Sequence, residues 1–160
     1  MDFTTVRADP ILECRELQDV WQQSLPHDAF FGSDVWLNPS VETHWIIVDG
    51  AKAGFTTFQL HRTVADTYDQ DELHEVGTMY ILVVALKPEF RGKGLGTRVK
   101  QWHIEHARKH GDIQKLVSNH RVSNTASYRF NLKAGYVLVG VKPGYYPSPR
   151  EDSNVMEFVL

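Results

Sequence analysis

The order of hydrophobic and polar positions near the N-terminus predicts a strand, a helix and a loop-rich segment. Residues 3–7 alternate weakly, as expected for an edge strand. Asp9-Pro10 then marks the start of a helix, because proline suits the first helical turn and apolar residues recur at helical spacing as far as Trp21. Residues 22–38 have no clean period, so we expect a short helix and a loop there. Three aromatic residues of this segment could wall a substrate pocket or fill the core: Phe30, Phe31 and Trp36.

The middle of the chain predicts a hairpin followed by a long central strand. Two strand-like runs, 44–48 and 51–60, flank Asp49-Gly50, a pair that favours a tight turn between antiparallel strands. Residues 62–73 are polar and acidic, which indicates a solvated connection. A strand should then span residues 75–86, whose centre is apolar on both faces, as in a strand covered by other elements on each side.

The C-terminal half predicts helices that alternate with strands. The first of these helices should end near His110 with Ile104 opposite its apolar stripe. That stripe is expected to hold four residues: Leu95, Val99, Trp102 and His106. Ser123 or Asn124 should cap a second helix that Gly135 ends. Strands are expected at 113–117, 136–141 and 155–160.

Length, charge and cysteine content narrow the class of protein. The chain has 160 residues, 42% of them hydrophobic and 23% charged, which indicates one soluble domain over residues 1–160. A formal net charge of -3 argues against non-specific nucleic-acid binding. The longest apolar run, 79–86, is too short to cross a membrane, and acidic residues replace a basic leader at the N-terminus, so we expect a cytoplasmic protein. The single cysteine, Cys14, excludes an internal disulfide.

A glycine-rich turn between a buried strand and a helix carries the clearest chemical signal. Gly92, Gly94 and Gly96 lack side chains, so the backbone can approach a ligand while the helix start presents unpaired amides. Arg91 and Lys93 add positive charge at the same turn. The spacing fits neither a P-loop nor a dinucleotide fingerprint, and the natural occupant is a pyrophosphate.

These residues resemble a known motif. Arg91-x-x-Gly94-x-Gly96, with residues 87–90 and a hydrophobic strand before it, is similar to the acyl-CoA-binding motif of the GNAT family of N-acetyltransferases. Asn124, Ser127 and Gly135-Tyr136 match a later helix-to-strand pattern of that family, and the hairpin and early helix also correspond. The tail over residues 145–156 is similar to that of members that acetylate protein N-termini.

The resemblance implies a mixed α+β fold: a twisted, mostly antiparallel sheet of about seven strands flanked by helices, with a splayed acyl-CoA cleft. It implies acetyl-CoA as co-substrate and a primary amine as acceptor, on a small molecule, a lysine or a protein N-terminus, in a monomer or homodimer. A backbone amide near Val84 or Ala85 would stabilise the developing oxyanion. Cofactor contacts are expected at Val84, Ala85, Leu86, Arg91, Gly92, Lys93, Gly94, Leu95, Gly96, Thr97 and Asn124. Acceptor contacts are expected at Phe30, Phe31, Trp36, Tyr145 and Tyr146.

The chain departs from the family pattern at the proton donor. Many relatives have a tyrosine where this chain has Asn131, so the usual acid toward the thiolate is missing. Tyr128, one helical turn earlier, is a candidate acid, and Tyr80 could orient a water or the substrate. His120, expected just past a strand, is a candidate general base because its ordinary pKa suits neutral pH. Two further candidate bases lie farther along the central strand, at its start: Glu75 and His74.

Other interpretations remain open at this point. The missing tyrosine makes a non-catalytic CoA-binding or partner-binding module credible. A nucleotide or nucleic-acid binder is another interpretation, and it would use the glycine turn and a basic helix face. The net negative charge of the chain disfavours it. The basic helix face comprises Arg98, Lys100, Arg108 and Lys109. His103, His106 and His110 recur at helical intervals without a matching carboxylate, so they read as helix-face residues rather than metal ligands, and no metal is expected.

Overall fold

The chain folds around one sheet in the structure, a computed structural model that describes residues 1–26, 28, 30, 33–63 and 75–160. Within that part of the chain there are seven strands and four α-helices. The strands are β1 (Phe3–Arg7), β2 (Val41–Val48), β3 (Ala51–His61), β4 (Thr78–Leu86), β5 (Lys115–Arg121), β6 (Val137–Pro147) and β7 (Arg150–Val159). The helices are α1 (Cys14–Ser24), α2 (Ser33–Leu37), α3 (Leu95–Arg108) and α4 (Thr125–Ala134).

The strand order over the described residues is β1-β2-β3-β4-β5-β7-β6. Every neighbouring pair is antiparallel except β4 with β5, which is parallel. The expected mixed fold with a mostly antiparallel sheet is therefore confirmed. None of the described helices combines the length and the apolar character needed to cross a bilayer.

Helices cover both faces of the sheet. On one face α1 packs Leu17 and Trp21 against Phe55 and Val83. On the other face Ile104 of α3 joins a core of strand residues, among them Phe58, Met79 and Leu116. Neighbouring residues of a strand point to opposite faces, so the central strand β4 contributes to both cores, as its apolar pattern predicts.

The hairpin and the second helix cap are confirmed. Asp49 and Gly50 both have positive φ, 49° and 81°, which is the conformation of a tight turn that matches the twist of β2 and β3. Asn124 rather than Ser123 caps α4, and Gly135 ends that helix in the left-handed conformation at φ 102°.

Several boundaries differ from the sequence-based expectation. The first helix begins at Cys14, because the Asp9 carboxylate accepts hydrogen bonds from the amides of Ile11 and Leu12 and holds a turn there. β5 starts two residues later than expected and continues to Arg121, because its pairing with β7 extends that far. β6 and β7 are likewise longer than expected, since they pair to Pro147 and Arg150.

A further difference concerns which residues of α3 are buried. Ile104 is buried rather than opposite the apolar stripe, because α3 packs against the sheet and also against α4. Trp102 and His106, expected on the buried stripe, are only partly covered. Of the expected connection over 62–73, residues 64–73 lie outside the described residues.

A substitution at Gly54 tests how close the backbones of β3 and β4 must be. A Cβ at this position would lie 1.9 Å from the Ala85 carbonyl oxygen, a backbone atom that moves only with its strand. We expect Gly54→Ala to lower the free energy of unfolding by about 3 kcal/mol in urea denaturation. Gly111→Ala is the control, because its Cβ would meet nothing within 4 Å. Equal stability of the two variants would contradict this account.

Candidate functional site

A cleft opens where β4 parts from β5. The two strands pair only from Thr78 with Lys115 to Ile81 with Ser118, although β4 and β5 both continue beyond this point. Leu82 is passed over in the pairing with β3, so β4 carries an extra residue immediately after its last pair with β5. A bulge of this kind bends a strand. The expected splay beside Val84 to Leu86 is therefore present, and we call it the β4–β5 cleft.

The glycine turn lies directly after β4 and leads into α3. Gly92 and Gly94 have φ values of 73° and 75°, and a Cβ on either would meet no atom of the described residues within 4 Å. Within the part of the chain that the structure describes, no side chain caps α3, and the first helical bond runs from the Arg98 amide to the Gly94 carbonyl oxygen. The preceding amides have no intrahelical partner, and the helix end is partly positive. The turn therefore offers open space and donors to an anionic group.

Two residues of the turn have a packing role. A Cβ on Gly96 would lie 2.5 Å from the Phe130 ring, so this glycine lets α3 approach α4. The Leu95 side chain is buried with Val99 in the core. Only the backbone of these two residues faces the turn, and Thr97 is partly buried in the next position.

The Arg91 side chain is held by carbonyl groups. Its guanidinium donates to the carbonyl oxygens of Leu86 at 3.3 Å and Ser24 at 3.2 Å. The Ser24 hydroxyl also donates to the Leu86 carbonyl at 2.7 Å. Arg91 therefore fastens the turn to the ends of α1 and β4, where helix carbonyls attract a cation. Of the two positive charges expected to face an anion, Arg91 is used in these contacts, and Lys93, which is exposed, is the one left for the anion.

The start of α4 borders the cleft on the β5 side. Asn124 Oδ1 accepts a hydrogen bond from the Ser127 amide at 3.0 Å. The expected contact of Asn124 with a cofactor arm would thus have to come from its amide NH₂ group. Tyr128 follows one turn later, half-buried, with its ring centroid 6.0 Å from that of His120. The structure therefore brings Tyr128 and His120 together.

His120 lies inside β5 and is buried, which corrects its expected place in a loop. Asn154 Nδ2 lies 3.2 Å from its Nε2, and the Asn131 amide lies 3.4 Å from its Nδ1. Burial, assisted by the charge of Lys100, lowers the pKa of His120 to about 4. The argument that its ordinary pKa suits base catalysis at neutral pH therefore fails.

Asn131, which stands in the place of the usual tyrosine, faces the same histidine. It is fully buried. The Asn131 Nδ2 group faces His120 Nδ1, and Asn131 Oδ1 is buried without a hydrogen-bond partner among the described residues. A neutral imidazole has one nitrogen that can accept, so it accepts from only one of the two asparagine amides at a time. This contact explains an amide at position 131, which belongs to the packing of α4 on β5.

Lys100 is buried in the same region. Its ammonium donates to the Ser118 hydroxyl at 2.7 Å, and burial lowers its pKa to about 7. It is therefore absent from the basic helix face that the sequence suggested. Arg98 of that face lies 3.5 Å from Glu105, which offsets part of its charge.

Tyr80 points to the opposite face of the sheet from His120. Its hydroxyl accepts a hydrogen bond from the Glu75 amide at 2.9 Å, and its ring lies 6.2 Å from that of His61. Burial raises the pKa of Tyr80, so its hydroxyl keeps its proton at neutral pH. Glu75 precedes β4, is exposed and pairs with Lys115 at 2.9 Å. His74 lies outside the described residues.

The aromatic candidates for the acceptor pocket divide into two groups. Trp36 is buried in the core, and the Phe30 ring packs at 4.9 Å from it and at 5.5 Å from Trp21. These rings therefore act mainly as core, which was the alternative interpretation. Phe31 lies outside the described residues. Tyr145 and Tyr146 lie near the tip of the β6–β7 hairpin with ring centroids 5.1 Å apart.

Arg121 joins this hairpin to the segment after α1, and no pattern in the sequence predicted this contact. Its guanidinium lies 4.4 Å from the Tyr146 ring centroid and donates to Asp28 Oδ1 at 2.7 Å and to the Pro149 carbonyl at 2.8 Å. Arg121 is the last residue of β5, beyond the point where β5 leaves β4. The contacts of Arg121 thus build one wall of the β4–β5 cleft.

Asn119 is a second residue that sequence reasoning missed. It lies in β5 just past the last pair with β4, on the face opposite His120. Its Oδ1 is buried and has no hydrogen-bond partner among the described residues. Buried acceptors are usually satisfied, so this oxygen is suited to receive a donor from a ligand in the cleft.

Comparisons with known proteins agree with one another. A model described as "Acetyltransferase (GNAT) family" matches residues 10–136. An IAA acetyltransferase from Bacillus cereus superposes with a TM-score of 0.74 at 15% identity, over 99% of this chain and 100% of that chain. The aminoglycoside acetyltransferase AAC(6')-Ib with coenzyme A gives 0.76 at 16%, over 99% and 95%. NAA60 of Arabidopsis thaliana with a bisubstrate analogue gives 0.75 at 15%, over 99% and 98%. No curated protein sequence matches.

The buried Lys100 should make stability depend on pH. Its pKa is about 7 in the folded protein and near 10.5 when exposed, so between these values the unfolded chain binds a proton that the folded chain lacks. The free energy of unfolding should therefore rise with pH, by about 1 kcal/mol per pH unit between about pH 7.5 and 9.5 in urea titrations.

Lys100→Met should flatten this rise, while the exposed Lys93→Met should leave it unchanged. A rise of the same slope in Lys100→Met would show that another group causes it.

Proposed function

The chain belongs to the GNAT acetyltransferase family, and from that premise we propose that it binds acetyl-CoA in the β4–β5 cleft and transfers the acetyl group to a primary amine. The observation that carries this proposal is the parting of β4 from β5 directly beside the open glycine turn. Coenzyme A in the complex of AAC(6')-Ib, which has a similar fold, supports the choice of co-substrate.

The residues of the turn fit the pyrophosphate of coenzyme A. The absent side chains of Gly92 and Gly94 leave space for the phosphate oxygens, and the uncapped amides at the start of α3 donate to them. Lys93 adds the charge that solvent-facing phosphates need. Arg91 acts as a positioning residue, because it holds the turn against the end of β4.

The unpaired edge of β4 fits the extended arm of the co-substrate. Beyond Ile81 the backbone groups that face β5 have no strand partner, so they can bond amides of the arm as a strand would. A backbone amide near Val84 or Ala85 would stabilise negative charge on the thioester oxygen. Bound acetyl-CoA supplies the activated acyl group, and this chain supplies its alignment with the amine.

The acceptor amine must lose a proton before it attacks. For a lysine-like amine this costs about 4.6 kcal/mol at pH 7, so a path for the proton assists the reaction. Tyr80 sits next to the closed end of the cleft and keeps its hydroxyl proton, so it can orient a water there. Asn119 on the same face offers a buried acceptor to the amine.

Tyr128 is the residue best placed to protonate the leaving thiolate. It lies half-buried on the helix that Asn124 caps, on the same face of the sheet as α3. The usual position for this acid is closed, since Asn131 is buried against His120. His120 then has a positioning role, because its ring supports the Tyr128 ring from β5.

Asn131 also supports the alternative of a GNAT fold that binds coenzyme A or a partner without catalysis, since it leaves the family's acid position empty. The two functions differ in one observable. The alternative predicts that coenzyme A stabilises the protein while no thiol is released from acetyl-CoA with any amine.

Gly94→Ala tests the proposed pyrophosphate contact. The methyl group would enter open space at the turn, so we expect the Kd for coenzyme A to rise at least about tenfold in calorimetric titration. Gly50→Ala is the matched control, because Gly50 also has a positive φ, 81°, and an open Cβ position, but lies in the β2–β3 hairpin. Both variants bear the same backbone strain, and only the first should lose affinity. Equal affinities would contradict binding at this turn.

Three substitutions test the proton path in a thiol-release assay with acetyl-CoA and a panel of amines and peptides. We expect Tyr128→Phe to lower kcat by about 30-fold or more, and Tyr80→Phe and His120→Ala to lower it by about tenfold. Tyr136→Phe is the matched control, since that hydroxyl is buried without a hydrogen-bond partner among the described residues and has no role in the proposed proton path.

A loss below about tenfold in all three variants would refute the proposed proton path. It would leave acyl transfer itself intact if the parent enzyme still releases thiol.

A further inference from the structure

A second cluster of polar side chains lies at the far end of α3. His106 lies in the last turn of α3, His110 follows two residues after the helix ends, and Glu42 of β2 faces both. One potential ligand atom from each of the three residues lies within 4.8 Å of the others. From Gly94 to His106 the helix rises about 18 Å, so this cluster is separate from the glycine turn.

The carboxylate of Glu42 is held in place by neighbouring side chains. His44 Nε2 lies 2.9 Å from Glu42 Oε1, and Arg7 lies 3.2 Å from the same oxygen. Carboxylates that ligate a metal are usually hydrogen-bonded by neighbouring groups in this way.

His106 is only partly satisfied by protein groups. Its Nε2 is buried and lies 3.4 Å from Glu42 Oε1, without the geometry of a hydrogen bond to any described residue. The side chains of His106 and Glu42 are 16% and 15% exposed, so the nitrogen is shielded while the cluster remains reachable. A shielded imidazole nitrogen without a hydrogen bond is available to coordinate a cation.

The donor set selects the class of cation. Two imidazoles and one carboxylate suit Zn²⁺ and its neighbours rather than Mg²⁺ or Ca²⁺, which prefer oxygen ligands alone. Ligand distances of about 2.0–2.2 Å place neighbouring donor atoms about 3.4 Å apart in a tetrahedron. Donors within 4.8 Å of one another reach that spacing through small side-chain rotations.

We propose that Glu42, His106 and His110 bind one divalent transition-metal ion of the Zn²⁺ class, with water in the fourth position. A pocket of about 220 Å³ beside the cluster gives the ion and its water access. Its lining comprises Pro39, Ser40, Glu42, Leu60, Arg62 and His110. The site does not depend on the proposed acetyl transfer.

Arg62 would compete with a metal ion for His110. Its guanidinium contacts His110 Nδ1, and it also pairs with Asp112 at 3.3 Å. The Arg62 side chain is 41% exposed, so it can leave His110 and keep the contact with Asp112 when an ion enters. A substitution that removes this cation should therefore strengthen metal binding.

Sequence reasoning treated these histidines as ordinary helix-face residues because no carboxylate accompanied them. The structure supplies that carboxylate from β2, far earlier in the chain. His103, the third histidine of the series, is fully buried and bonds Thr56 instead, so it takes no part in the site.

Calorimetric titration of the full, chelator-treated chain with ZnCl₂ tests the site. We expect one ion per chain in the parent protein, an affinity at least about 100-fold weaker in His110→Ala and His106→Ala, and a higher affinity in Arg62→Ala. Zn²⁺ should also raise the melting temperature of the parent by about 5 °C, because it ties β2 to α3.

Glu105→Gln is the matched control, since it removes an exposed carboxylate from the same helix and should bind Zn²⁺ like the parent. No saturable binding up to about 1 mM Zn²⁺ would overturn the proposal. Unchanged affinity in both folded histidine variants would overturn it equally, because the ion would then be held elsewhere. Cobalt(II) spectra of the parent should show the intense absorption of a four-coordinate site, and a six-coordinate spectrum would contradict the proposed ligand set.

Discussion

The one-residue bulge at Leu82 is the constraint from which the β4–β5 cleft follows. It falls immediately after the last pair between β4 and β5, so the strand bends away where parallel pairing stops. Gly54 permits this, because a side chain there would collide with the Ala85 carbonyl and push β4 from β3. The Leu86 carbonyl then accepts hydrogen bonds from Ser24 and Arg91 and fixes the glycine turn to the strand end. The cleft and the turn are therefore one rigid arrangement built from the backbone.

A buried polar network supports the cleft from the side of α3 and α4. Lys100, His120 and Asn131 lie there with little or no solvent contact, which costs free energy unless each group finds a partner or loses its charge. Burial lowers the pKa of both Lys100 and His120, so the network approaches neutrality near pH 7. Polar contacts of this kind fix the orientation of neighbouring side chains more strictly than apolar packing does. The network thus explains how Tyr128 can be held in place although the family's own acid position carries an asparagine.

Patterns in the sequence predicted the features that depend on neighbouring residues. They did not predict the side-chain positions that depend on contacts between distant parts of the chain. The Asp49-Gly50 hairpin and the Asn124 cap follow from backbone preferences of neighbouring residues, so the sequence sufficed for them. The place of His120 inside β5 depends on pairing with β7, more than thirty residues later, which no local pattern reports. The contacts of Arg91 with the end of α1 and of Glu42 with α3 have the same origin. Sequence reasoning therefore located the glycine turn and missed the side chains that hold it.

The two ends of α3 complement its dipole in opposite ways. The amides after Gly94 give the N-terminal end a partial positive charge, which favours the anionic group proposed there. Carbonyls at the C-terminal end carry a partial negative charge, and His106 and Arg108 occupy the last turn. A dication held by His106 and His110 would add to that favourable interaction, and Glu42 would offset much of the charge it brings into a partly buried place. One helix can therefore serve an anion at its start and a cation at its end without either site weakening the other.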